Sequence, residues 1–411
     1  MQFVSIVSMP PLADRPAGFA YSYRIRCECG RASDLSADDY AAEVDEAHMP
    51  CSHCGKRIHF GRAVIALRDM ADPALDNEQL NRFAWYHAST SPDWPSPTYV
   101  QAKRLTLTRG GSRIPEDQVA RLSNLAVHVG TYEAAIETVL RRMRNQGDAD
   151  SRFFLYRVAL DLDPRRVECG YRDENLQPAA MLSSAELRDQ DLQAVRYLNV
   201  FESPGSLSLA LIPDAIAAVQ MVDLDAHEVV HGHDAQLSTQ LDRFQIELDE
   251  LKSRPPIRSD RPMTKLEQLR AQVEARHGLI GVGRSDGAEG WKLWGSVESA
   301  LAEQYLQGVN AIVARGFNDA MRSRRRHGEG DVRSFADFYA TRAFALTHSS
   351  QLINRLSALS ATVPPAHGPM HHEGELPVTV DAIWQSQSPV YCVCTAVVLW
   401  TTRHRQSARR R

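Results

Sequence analysis

The chain reads as an α+β protein in three parts, on three observations. Four cysteines sit in two tight turns within residues 15–68, and short strand-like runs surround one amphipathic helix across residues 80–225. Helical periodicity then dominates residues 235–411. At 411 residues two or three domains are expected, since a domain takes ~100–200 residues. A hydrophobic share of 43 % suffices for a sizeable core, and a net charge of −4 excludes a general attraction to nucleic acid or anionic membrane. The opening MQFVSIVSMPPLADRPAG has no basic segment and no long apolar core, so no secretory leader is expected. The longest apolar run, residues 390–400, is about half the ~20 residues of a membrane helix, and a buried element is expected there instead. Seven cysteines, four of them clustered, point to metal ligation in a reducing compartment, with the cytoplasm as the expected location.

The first part is the most specific. Cys27 and Cys29 (C-x-C-G) and Cys51 and Cys54 (C-x-x-C-G) each lead into a glycine, Gly30 and Gly55. In such a turn backbone N–H groups point at the thiolates and the glycine relieves the bend. Four thiolates close a tetrahedral site of the structural kind. One zinc ion on Cys27, Cys29, Cys51 and Cys54 is therefore expected, and the unit resembles a zinc ribbon. His48, His53 and His59 read as surface residues. Alternation at Tyr21, Tyr23 and Ile25, and at Ile58 and Phe60, predicts short strands beside the turns. Residues 69–80 read as a linker.

In the second part, residues 83–90 (FAWYHAST) read as a strand ending in a turn, and residues 125–131 (LAVHVGT) as another strand. Residues 132–146 carry Ala135, Ile136, Val139, Leu140 and Met143 at helical spacing. Residues 153–163 form a strand that Pro164 stops, and residues 206–224 two strands joined at Pro213-Asp214. Residues with chemistry to offer gather at the ends of these elements. They are His87, Ser89 and Thr90, then Gly130, Thr131 and Tyr132, and finally Asn199, Glu202 and Ser206.

This order resembles mono-ADP-ribosyltransferases of the diphtheria-toxin and poly-ADP-ribose-polymerase type. In that family a histidine in a Y-H-G-[ST] strand, a tyrosine and a late glutamate bind and split NAD. The resemblance covers residues 82–224 and implies a split-β-sheet domain with NAD as its substrate. It implies that His87, with Ser89 or Thr90, holds the adenosine ribose. Tyr132, or else Tyr156, would stack on nicotinamide, and Glu202 would be the glutamate. Catalytic roles thus fall to Glu202, His87 and Tyr132, with Ala88, Gly130, Thr131, Asn199 and Ser206 completing the NAD site. Departure of nicotinamide leaves positive charge on the ribose, which a nearby carboxylate stabilises. Two departures from the family stand out. Ala88 replaces a glycine, and Glu202 lies in a loop upstream of the strand start, where Ser206 or Ser208 stands. The resemblance further implies a macromolecular acceptor, protein or nucleic acid, and a toxin or phage-defence role with an antitoxin as a partner.

Residues 227–234, HEVVHGHD, match the H-E-x-x-H spacing with which two helical histidines share zinc. The alternative reading is a zinc metallopeptidase using His227, Glu228 and His231. The strand-like residues 215–224 run straight into the motif, however, and extended backbone sets the two histidines ~13 Å apart, too far to share an ion. A polar connector is expected. Further on, Thr264 and Glu267 form a capping box ahead of a helix, and Val297, Leu301, Tyr305, Val309 and Ile312 predict another. Basic clusters at residues 322–328 and 403–411 are the phosphate contacts if the chain is instead a non-enzymatic nucleic-acid or protein-binding module.

Overall fold

The computed structural model describes residues 6–109, 115–173, 179–226, 232–254, 288–327 and 331–364, with isolated positions between 264 and 272. It is a mixed α and β chain with several sheets. After strand β1 (Ile6–Val7), the cysteine unit folds as two hairpins around a helix. Strand β2 (Tyr23–Arg26) pairs with β3 (Ala32–Leu35), helix α1 (Ala37–Glu46) follows, and β4 (His48–Pro50) pairs with β5 (Arg57–His59). The acidic stretch lacks an apolar stripe, yet Ser36 starts a helix there by accepting the Asp39 N–H at 3.1 Å. Asp38 and Asp39 then sit at the positive end of the helix dipole. Ile25, Cys27, Cys51 and Ile58 form a small buried cluster in this unit, with Leu35, Tyr40, Met49, Phe60 and Val64 partly buried against it, and so small a core gains from a further tie.

Residues 69–80 are not a loose linker. They form two short 3₁₀ turns, capped by Asp72 and Asp76, that bury Ala74 and Leu80. The central part follows with β6 (Trp85–Ser89), α2 (Pro97–Arg109), α3 (Glu116–Ser123), β7 (Val127–Val129) and α4 (Tyr132–Asn145). Next come β8 (Phe154–Leu160), β9 (Arg172–Asp173), α5 (Ser184–Asp189), β10 (Ala194–Leu198), β11 (Leu207–Leu211) and β12 (Ile216–Asp223). Helices α6 (Ala235–Ser253), α7 (Ala288–Tyr305), α8 (Ala311–His327), α9 (Val332–Thr347) and α10 (Ser349–Ser357) lead to β13 (Ala361–Thr362).

Two sheets organise the centre, ordered β1-β13-β12-β8-β6 and β7-β11-β10-β9. They meet where Tyr86 of β6 bridges Gly130 just after β7. Alternate residues of β8 point to opposite faces. Tyr156, Val158 and Leu160 enter a core between the sheets with Trp85, Val195, Leu209 and Val219. Phe153 and Leu155 instead join Tyr86, Ala88, α4 and the C-terminal helices in a second core. Both faces are covered, which is why this strand reads as a nearly continuous apolar run. The helices beyond residue 235 therefore share a core with the central strands. The helix expected to run from Val297 through Ile312 is two helices, because Asn310 caps a new start by accepting the Val313 N–H at 2.9 Å. The capping box at Thr264 falls largely outside the described residues, as do HEVVH and the tail from residue 365. No described helix is long and apolar enough to cross a membrane.

One charged group is buried in the helix-covered face. Arg157 of β8 makes two hydrogen bonds to the Asp14 carboxylate, at 2.9 and 2.8 Å, and one to Gln220 at 3.0 Å. Tyr86 donates to the same carboxylate at 2.6 Å, and Gln220 donates to the carbonyls of Ser357 and Leu359. The N-terminal segment, three strands and the end of α10 are thereby joined by one polar network. Removing Asp14 strands a guanidinium whose side chain is 5 % exposed. Asp14→Ala should cost about 3 kcal/mol of unfolding free energy in urea, the scale of breaking a buried pair. A loss below about 1 kcal/mol would show that the network is not a tie.

Candidate functional site

The four cysteines converge. Their Sγ atoms all lie within 4.8 Å of one another, with Cys27 to Cys54 at 3.7 Å and Cys29 to Cys51 at 3.9 Å. A tetrahedron with Zn–S bonds of ~2.3 Å has edges of ~3.8 Å, so the cluster can hold a metal ion such as zinc. The Gly30 and Gly55 N–H groups close the two turns onto the Cys27 and Cys51 carbonyls at 2.9 Å, with φ of 82° and 70°. The His53 N–H points at Cys51 Sγ at 3.4 Å and favours its thiolate. One metal ion per chain is expected on elemental analysis of the purified protein. Cys51→Ser should lower that to well below one; full metal content in this variant would place the ion elsewhere.

The second site lies at the seam of the two sheets. A cleft of about 220 Å³ is lined by His87 and Ala88 of β6, Gly130, Asn199, Glu202 and Arg141. Beyond His87 and His128, which line both spaces, a larger cavity of about 1060 Å³ extends beneath α2 and α3. The His87 ring stacks on Trp94 with centroids 3.9 Å apart. Its Nδ1 donates to the His128 carbonyl at 2.7 Å, so Nε2 carries the lone pair. Burial pushes the His87 pKa down to about 3 and that of His128 to about 4, so both are neutral near pH 7. His128 Nδ1 lies 3.0 Å from the Tyr197 hydroxyl.

Glu202 sits in the loop between β10 and β11, almost fully buried. Burial raises its pKa, while Arg141 of α4, which donates to its carboxylate, opposes the rise. One turn back on α4, Glu137 accepts from the Tyr21 hydroxyl and from the Ser203 N–H at 2.9 Å, and burial lifts it to about 7. Asn199 closes the same loop, donating to Ser206 Oγ and Ser208 Oγ, both at 2.8 Å. Gly130 is confined by this arrangement, since an added Cβ would lie 2.4 Å from Ser208 Oγ.

The remaining expected residues serve the frame. Tyr132 is 2 % exposed and donates to the Ala345 carbonyl at 2.7 Å, within the helical core and away from the cleft. Tyr156 lies behind His87 and donates to the Ser91 carbonyl. Ser89 accepts the Ser91 N–H, Thr90 accepts from Arg142, and Thr131 caps α4. Sequence reasoning missed Trp94, His128, Tyr197, Glu137 and Arg141. For Arg141 a signal existed: Ala134, Thr138 and Arg141 recur at i, i+4 and i+7 on α4 and all line the cleft. The basic cluster at 322–328 is largely engaged: Arg322 pairs with Glu298, Arg324 with Asp150, and Arg325 lies over Trp294. Beside the HEVVH stretch, His233 is tied to the Tyr305 hydroxyl at 2.6 Å and to Asp337 at 3.1 Å. Against protein-family models, curated proteins and solved structures, the chain finds no match.

The neutral His87 has a measurable consequence. Its ordinary pKa is 6.5 and its folded value about 3, so the unfolded chain binds the proton first as pH falls. Native stability is then lost between about pH 6.5 and 3, at up to ~1.4 kcal/mol per pH unit. His87→Gln should flatten the fall in urea-unfolding free energy between about pH 6 and 4 by that slope. An unchanged slope would mean that His87 takes up its proton alike in the folded and the unfolded chain.

Proposed function

We propose that the chain is an NAD-consuming ADP-ribosyltransferase that works at the seam cleft. The observation that carries the reading is the meeting of His87, Ala88, Gly130, Asn199 and Glu202 in one cleft, although they come from three separate segments. Tyr86 turns its N–H and C=O toward Gly130, and Ala88, two residues on, turns its own the same way along the edge of β6. That open edge suits the carboxamide of nicotinamide. His87 offers a neutral acceptor for a ribose hydroxyl, and Tyr197 takes the aromatic role that Tyr132 does not reach. Glu202 supplies negative charge beside the ribose, a charge that the Arg141 guanidinium favours against the effect of burial.

In the reaction the bond between C1′ and the pyridinium nitrogen breaks, and its electron pair leaves with nicotinamide. The acceptor nucleophile then bonds C1′ and gives up its proton. Glu202 stabilises the positive ribose between these events, in surroundings with little water. The larger cavity beyond His87 and His128 leaves room for the acceptor or for the rest of the dinucleotide.

Incubation with ³²P-labelled NAD and a cell extract should transfer label to material removed by either protease or nuclease, which names the acceptor class. Glu202→Gln keeps shape and loses charge, so turnover should fall ~10²–10³-fold with NAD affinity nearly unchanged. No NAD consumption by the wild-type chain, or a fully active Glu202→Gln, would overturn the reading.

A further inference from the structure

We propose that the cysteine unit is a metal-dependent clamp on the loop that carries Glu202, with Arg68 as its positioning residue. The effect on turnover rests on the reading of Glu202 given above; the clamp itself rests on contacts. Segment 62–68, which closes the cysteine unit, grips three alternate residues of the loop. The Arg62 guanidinium lies 3.7 Å from the centre of the Phe201 ring. Arg68 donates from its side chain to Ser203 Oγ at 3.0 Å and from its backbone to the Gly205 carbonyl at 2.9 Å. Phe201 and Ser203 flank Glu202 directly. At Gly205, φ is +86° and an added Cβ would stand 2.7 Å from the Ala66 carbonyl, so the loop is seated on the unit without a gap.

Arg68 is itself held in place. Its guanidinium lies 4.1 Å from the centre of the Tyr21 ring, and Tyr21 donates to Glu137, which takes the Ser203 N–H. The other side of segment 62–68 is tied to the cysteine strand. The Ala66 N–H donates to the Arg24 carbonyl at 2.9 Å, Ile65 bridges Ile25, and Arg26 donates to the Ala63 carbonyl at 3.0 Å. Cys27 follows in the chain. From that residue to the Glu202 loop the route is continuous and combines backbone hydrogen bonds with arginine side-chain contacts. A unit with so thin a core depends on its metal for its fold, so metal loss loosens segment 62–68 and frees the loop. A carboxylate displaced by about 1 Å can lose ~10²-fold in rate.

Hydrogen exchange on the full-length protein, metal-loaded and chelated, tests the clamp without reference to any reaction. The Ser203 amide, bonded to Glu137, and the Gly205 and Ser206 amides, bonded within the loop, should exchange at least about tenfold faster after chelation, while β8 stays protected. Arg68→Ala should speed the same amides with full metal content retained, and Arg68→Lys, which keeps the charge over Tyr21, should restore part of the protection. With NAD, Arg68→Ala should lower kcat about 10–100-fold and leave KM within about twofold. Loop exchange that is equal in loaded and chelated protein overturns the proposal. If chelation also exposes β8, the Arg68→Ala arm decides, and unchanged loop exchange there overturns it. Wild-type protein that consumes no NAD would defeat the transferase reading alone, since the exchange results still report on the clamp.

Discussion

Two backbone hydrogen bonds between Tyr86 and Gly130, each 2.9 Å long, join the two central sheets. The candidate site depends on them, because the seam they close is where three distant segments come within reach of one another. Gly130 fits there without displacing the Ser208 hydroxyl, which an added Cβ would strike. Next to Gly130, β6 lines the cleft with Ala88 and His87. The Tyr86 side chain secures the same strand from the other face through Asp14 and Arg157. A seam bonded at this point and anchored behind is a setting in which a few polar groups can be held in fixed positions.

The polar groups at the seam are tuned mainly by desolvation. His87 and His128 are kept neutral by burial, and His87 is turned by a backbone carbonyl so that only its Nε2 can accept. Burial raises both Glu202 and Glu137, yet their surroundings differ. Glu202 has the Arg141 guanidinium against it, whereas Glu137 accepts from a hydroxyl and a backbone N–H. Two carboxylates at the same loop are thus both raised by burial, and each has its own partners that favour the charged form. Burial also strengthens each remaining electrostatic interaction, since little solvent is left to screen it.

The helices after residue 235 do not stand apart from this chemistry. Tyr132 at the start of α4 is fixed by the Ala345 carbonyl of α9, and α4 carries both Glu137 and Arg141. The helical layer therefore sets the angle of the helix that faces the Glu202 loop, as the cysteine unit supports that loop from the opposite side. Strand β13, pairing with β1 and β12, brings residues near both ends of the described chain into the same sheet.

Local order was legible in the sequence wherever a short-range rule governed it. The cysteine pairs with their glycines, the stripe of α4, the strand that Pro164 ends and the turn at Pro213 all depend on residues within a few positions of one another. His87, Ala88, Gly130, Asn199 and Glu202 could be singled out because they sit at the ends of such elements. What they face was decided only by tertiary structure. Tyr132 and Tyr156 are alike in sequence, yet core packing turns one into the helices and sets the other behind His87. Trp94, Arg141 and Glu137 gained importance from partners that lie up to 116 residues away, as Tyr21 and Glu137 do. Periodicity reports whether a side chain is buried, because burial depends on the face of its own helix or strand. It carries no record of which distant group waits across that face, since contact is set by the packing of whole elements.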